Sequence, residues 1–192
     1  MAAQTHFVNL VLGSKLLQDS GIAEDGVLNV VKSLITAREQ SLREVETFVK
    51  YLEIYQVLTN NRGLGNKDSK IIFGYLLLYV YAIYCACFLL ALAQSFLKGS
   101  YSPEAVAQSL GHFNFEDFAS DLPFGSQALL AMLVIDAPNT PNAFRSMDDK
   151  IKKRWGEITT GAFESGFYRL SDNYRVDVIN NTLRTLSMGS SK

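Results

Sequence analysis

The stretch that decides the fold runs between two lysines: KIIFGYLLLYVYAIYCACFLLALAQSFLK, residues 70–98. Residues 71–97 carry no formal charge, and about 18 apolar residues already make a transmembrane candidate. Lys67 and Lys70 flank one end and Lys98 the other. With Arg62, positive charge is denser on the N-terminal flank, so a span here would leave the N-terminus cytoplasmic. The tyrosines argue the other way. Tyr75, Tyr79, Tyr81 and Tyr84 fall in the first half of the run, the last three near its middle. Tyrosine favours the membrane interface over the hydrocarbon centre, and a buried phenol needs a hydrogen-bond partner that a protein core can supply. The segments 27–58 and 141–160 also carry narrow apolar stripes that need covering. A helix apolar all round is what the centre of a bundle looks like. The tyrosines thus favour a long, fully apolar central helix over 70–98 in an all-α bundle. The alternative is a single membrane span over 71–96, or a bundle that inserts this helix into a bilayer.

Working outward, the pattern is helical nearly throughout. Residues 6–17 make a short amphipathic piece. Over 27–58 the apolar stripe Val31, Leu34, Ile35, Leu42, Val45, Phe48, Val49, Leu52, Tyr55 keeps a 3.6-residue period, with the charges mostly elsewhere. NNRGLGN ends it with Asn and Gly. Asp68 or Ser69 can cap the central helix, which should end at Gly99. Ser102-Pro103 reads as an N-cap with proline at the first helical position, and Asn114 with Asp117 as a weak capping box. Ser126 opens QALLAMLVI, closed at Ala137-Pro138. Thr140-Pro141 starts a helix over 141–160 that carries Phe144, Met147, Ile151, Trp155 and Ile158 on one face. The last helix, 172–187, should bury Val176, Ile179, Leu183 and Leu186. FESGFYRLSDNYRVDV is the one stretch that admits an extended piece. With no linker or repeat, residues 1–192 read as one helical domain.

Composition narrows the function classes. The chain is 48% hydrophobic and 19% charged with net charge −1, globular and without a bulk pull toward nucleic acid or anionic lipid. Any RNA contact would need a local patch. Cys85 and Cys87 point about 200° apart on a helix, so no disulfide is expected between them. Both read as small buried hydrophobes. The N-terminus lacks a basic n-region and a long apolar run, so no cleaved signal peptide is expected.

Catalytic constellations are sparse. His6 and His112 have no second ligand at metal spacing, and no GxSxG elbow is present. GLGNKDSK lacks the phosphate-loop spacing and reads as an interhelical loop. The carboxylate pairs Glu44/Glu46, Glu116/Asp117 and Asp148/Asp149 read as solvated faces or charges at helix N-termini. Lys150, Lys152, Lys153 and Arg154 form the densest basic group; it could meet phosphate, although the wet side of an amphipathic helix is the simpler reading. Asn180-Asn181-Thr182 is a glycosylation sequon, meaningful only outside the cytoplasm. No cofactor, metal or small-molecule substrate is expected, and the chain reads as a non-enzyme.

AFESGFYRL, residues 162–170, resembles a motif near the C-terminus of coat proteins from rod-shaped helical plant viruses. Phe163, Glu164 and Phe167 match it; Arg169, Leu170 and Ser171 depart from it. The resemblance implies a four-helix subunit that stacks around RNA, in a virion or the host cytoplasm. It implies phosphate contacts from an early helix, where TAREQSLREVETFVKYL offers Arg38 and Arg43. The sequence therefore leads to a self-assembling structural protein, with RNA as a candidate partner. A membrane protein is the alternative, and a small helical adaptor is a third class.

Overall fold

Four of the described helices stop where the backbone turns left-handed, at Glu39, Asn60, Gly99 and Gly111. The computed structural model describes residues 2–111, 123–137, 146, 148–164 and 172–189, apart from the side chains of 172–174 and 189. Among the described residues the chain is all-α, with no strand; Asn66 and Ser69 form one isolated bridge. The helices are α1 (Ala2–Gly13), α2 (Asp25–Ala37), α3 (Leu42–Leu58), α4 (Phe73–Phe88), α5 (Leu90–Leu97), α6 (Pro103–Ser109), α7 (Phe124–Ile135), α8 (Asp149–Phe163) and α9 (Asp172–Gly189). A short 3-10 turn, Gly21–Ala23, precedes α2.

The helix expected over 27–58 is two helices. Glu39 takes a positive φ of 48°. Its N–H donates to Thr36 O and the Gln40 N–H donates to Ile35 O, each at 3.1 Å, which satisfies the last carbonyls of α2. A new start follows at once. Ser41 Oγ accepts from the Glu44 N–H, and Glu44 Oε2 accepts from the Ser41 N–H at 2.8 Å. This capping box holds two first-turn donors, so a fresh helix from Leu42 costs little. The same left-handed stop ends α3 at Asn60 (φ 52°) and α5 at Gly99 (φ 62°), where the sequence places them.

The single apolar helix expected over 70–98 does not exist. Leu89 leaves helical geometry (φ −130°, ψ 51°), and the run divides into α4 and α5. Neither glycine nor proline sits at the break, and beyond it α5 packs against α9 as well as α4. The 16 residues of α4 reach about 24 Å, short of a hydrocarbon core of about 30 Å. No helix among the described residues is long and apolar enough to cross a membrane, which removes the single span over 71–96.

α4 nevertheless occupies the centre, packed by α2, α3, α5, α7, α8 and α9. Every residue from Gly74 to Cys85 except Tyr79 is buried. The phenols find partners: Tyr84 OH donates to Leu34 O at 3.2 Å, and Tyr81 OH pairs with Ser109 Oγ. That is the condition under which a bundle core accepts tyrosine. α3 covers one flank with Val45, Phe48, Val49, Leu52 and Tyr55, as its period predicts. Trp155, Ile158, Ala162 and Phe163 of α8 cover another.

Smaller corrections follow. Neither Asp68 nor Ser69 caps α4, which starts from Ile72 without a side-chain cap; both residues sit in a turn organised by Asn66 Oδ1. α7 starts at Phe124 after Pro123, not at Ser126, which is buried inside its first turn. Ser102 does cap α6, accepting from the Ala105 N–H at 3.2 Å. α8 starts at Asp149 with Asp148 as its cap and runs to Phe163, beyond the expected 160. Phe144 and Met147, like the Asn114/Asp117 capping box, lie outside the described residues. In α9 Val178, Ile179, Leu183 and Leu186 are buried, while Val176 is only half-buried. Of the stretch 163–178 that admits an extended piece, Glu164 is extended, residues 165–171 lie outside the described residues, and the chain is helical from Asp172 onward.

Candidate functional site

The cations expected to meet phosphate fall into two groups. Arg38 is the C-cap of α2 and Arg43 lies in the first turn of α3, so the capping-box turn brings these exposed residues to one junction. Lys150, Lys152, Lys153 and Arg154 occupy the start of α8, a separate element packed on α7 and α4. Two of the four are ion-paired in place. Lys152 Nζ lies 3.3 Å from Asp149 Oδ1, and Lys153 Nζ lies 3.9 Å from Glu157 Oε1. Asp148 accepts from the Lys150 N–H at 2.7 Å, so the Asp148/Asp149 pair serves the helix start as its position suggests.

Several other ionisable residues that the sequence singles out have structural partners. His6 Nε2 lies 3.1 Å from Glu46 Oε1 and joins α1 to α3. Glu44 belongs to the capping box, and Lys67 reaches Asp19 at 3.0 Å. Among the described residues, no three His, Cys, Asp or Glu side chains gather in a way that could hold a metal. Burial pushes the Cys85 thiol far up and the Cys87 thiol up to about 12, so neither is a thiolate nucleophile near neutral pH. Thr182 of the sequon is fully buried, donating to Val178 O and facing Tyr55 OH. In the folded chain the sequon is part of a packed helix. His112, Glu116 and Asp117 lie outside the described residues, as does the resemblance motif beyond Glu164.

The surface holds what the sequence does not announce. α3, α4, α5 and α9 form an apolar groove of about 320 Å³, lined by Tyr51, Ala86, Leu90, Leu97, Leu183 and Leu186 among others. Ile54 and Leu58 follow Tyr51 at three and seven positions, so they continue the same face of α3, and both are exposed. Leu90 stays 65% exposed and Met188 70% exposed. Leu90 and Leu97 are seven residues apart and share one side of α5. In so apolar a run, nothing marks them as the large side chains that stay uncovered.

Comparison with family models, with curated proteins and with solved structures finds no match to this chain.

Proposed function

We propose that the chain is a non-enzymatic structural protein that assembles with copies of itself through the α3–α5–α9 face. One observation carries this reading: the apolar groove is bordered by apolar side chains, Leu90 and Leu97, that stay exposed on the same surface. A surface with both a hollow and knobs is self-complementary. A second copy related by a two-fold axis would place its Leu90 in the groove while offering its own groove in return. Contiguous exposed apolar area is what monomeric proteins avoid and subunits bury. A net charge of −1 leaves little repulsion between copies.

The finer form of this reading is a coat subunit that packs RNA in a helical particle. It rests on the likeness of residues 162–170 to rod-shaped virus coats. In that case Arg38 and Arg43, rather than the ion-paired Lys152 and Lys153 of α8, would meet phosphate.

Sedimentation velocity and negative-stain microscopy across a concentration series, with and without RNA, test the proposal. Concentration-dependent dimers, discs or rods are expected. Leu97→Glu, at an exposed position, should return the chain to monomer with its helix content intact. A wild-type chain that stays monomeric at high concentration would sink the proposal. Assembly that needs RNA and fails in Arg38→Gln would favour the coat form.

A further inference from the structure

The break at Leu89 opens a second, larger space. The α2–α3 junction, the start of α5 and the helix α6 enclose a cavity of about 590 Å³, well inside the range of about 300–1,000 Å³ typical of small-molecule sites. Its wall has two characters. Phe88, Leu89, Leu92 and Ala105 give an apolar side, and Arg38, Ser100, Ser102 and Gln108 give a polar one. Among the described residues, no lining residue is acidic and Arg38 supplies the only formal charge on the wall.

The polar groups can be sorted by what is already used. Ser109 is buried, donates to Val106 O and pairs with Tyr81 OH, so it builds the floor. Ser95 donates to Leu92 O at 2.7 Å. Ser102 accepts from the Ala105 N–H and keeps its own proton to give. With that proton, the Arg38 guanidinium, the Ser100 hydroxyl and the Gln108 amide, the polar side is rich in donors. A set of donors around one cation suits an acceptor-rich anion, and charged hydrogen bonds to guanidinium are the strong ones. The apolar side suits a short hydrocarbon or aryl body.

We propose that this cavity binds a small amphipathic anion, a carboxylate or phosphate monoester on a short apolar chain. Its head would lie at Arg38 and its chain against Phe88, Leu89 and Leu92. The site is separate from the assembly groove except for Leu90, which borders both.

Isothermal titration calorimetry on the full chain tests this. The probes are decanoate and decyl phosphate below their micelle concentrations, with decyltrimethylammonium and inorganic phosphate as controls. Saturable one-to-one binding of the two anionic amphiphiles is expected, with the cationic one failing to bind. Arg38→Gln, at an exposed position, should weaken binding by about tenfold or more. Ala105→Phe, which fills the cavity, should abolish it. Leu97→Glu, on the assembly groove alone, should leave it unchanged, so this test does not fail merely because self-assembly fails. The proposal is overturned if neither anionic amphiphile binds, or if the cationic one binds equally. It is also overturned if inorganic phosphate binds as tightly as decyl phosphate, or if Arg38→Gln and Ala105→Phe leave the affinity untouched.

Discussion

Arg175 Nη2 donates to Asp136 Oδ1 at 2.9 Å, tying α9 to the C-terminal end of α7 with both side chains largely buried. The two residues are 39 positions apart. Their pairing fixes how the last helix returns to a bundle whose other contacts are mostly non-directional. Removing one member takes a charge-assisted hydrogen bond from a largely buried partner, and breaking comparable pairs costs up to about 3–5 kcal/mol. Arg175→Met should therefore lower the urea midpoint sharply, read through Trp155, the one tryptophan and a fully buried one. The double variant Asp136→Leu/Arg175→Met should lose much less than the sum of the single changes. Additive losses would show that the pair contributes no coupling.

Gly74 is held to glycine by its neighbour. A methyl placed on it would lie 2.5 Å from Phe163 Cδ1 and 2.6 Å from Cγ, inside the ring's own volume. Phe163 is itself fixed edge-on to Tyr75, with ring centroids 5.5 Å apart, and cannot easily withdraw. Alanine would gain at most about 1 kcal/mol in helix propensity, whereas overpacking a filled core costs about 1–3 kcal/mol. Gly74→Ala should be net destabilising by thermal unfolding. Phe163→Leu placed in the same chain should recover part of the loss. A higher melting temperature for Gly74→Ala alone would refute this account of the α4–α8 contact.

The capping box gives α3 an acid sensitivity of known sign. The Ser41 backbone N–H, then the Ser41 hydroxyl, hold the Glu44 carboxyl below its ordinary value of 4.5. A depressed folded pKa contributes stability that is present above 4.5 and is lost as pH falls through the lower folded value. Glu44 is exposed, so screening keeps the contribution small. Wild type should lose more stability between neutral pH and pH about 3 than Glu44→Gln does, by a few tenths of a kcal/mol. Equal losses in urea titrations at the two pH values would remove the carboxylate from the cap.

How far the sequence reaches can be judged from these elements. The register of α3 was legible because one face alternates with charge at a helical period, and Val45, Phe48, Val49, Leu52 and Tyr55 are buried accordingly. The break before α3 was missed: Ser41 followed three residues later by Glu44 carries the capping-box signal, but continuous apolar spacing across Gln40 masks it. The break at Leu89 was not legible. No local breaker marks it, and the packing of α5 on α9 beyond it joins residues far apart in the sequence. The groove and the cavity inherit that blindness, since both exist because the run bends there. The tyrosines gave the more durable signal: residues too polar for a bilayer centre turned out to be hydrogen-bonded inside protein.

Those same phenols set an alkaline limit. Burial raises the pKa of Tyr84 and Tyr101 well above the ordinary value of 10.0, and it does the same to Tyr81. Tyr101 OH donates to Leu133 O at 3.0 Å, and Tyr84 OH donates to Leu34 O, bonds available only to the protonated phenol. A raised folded pKa means stability that is complete below the unfolded value and declines as pH rises above it. The bundle should therefore weaken above pH 10 as its unfolded phenols ionise, before the folded ones do. Tyr84→Phe and Tyr101→Phe should each cost about 1 kcal/mol at neutral pH, because a buried carbonyl loses its donor. Each should also flatten the alkaline decline, because one fewer phenol couples folding to ionisation. Urea midpoints measured at neutral pH and above pH 10 decide the matter. A Tyr84→Phe/Tyr101→Phe chain as alkali-sensitive as wild type would place the limit in other groups.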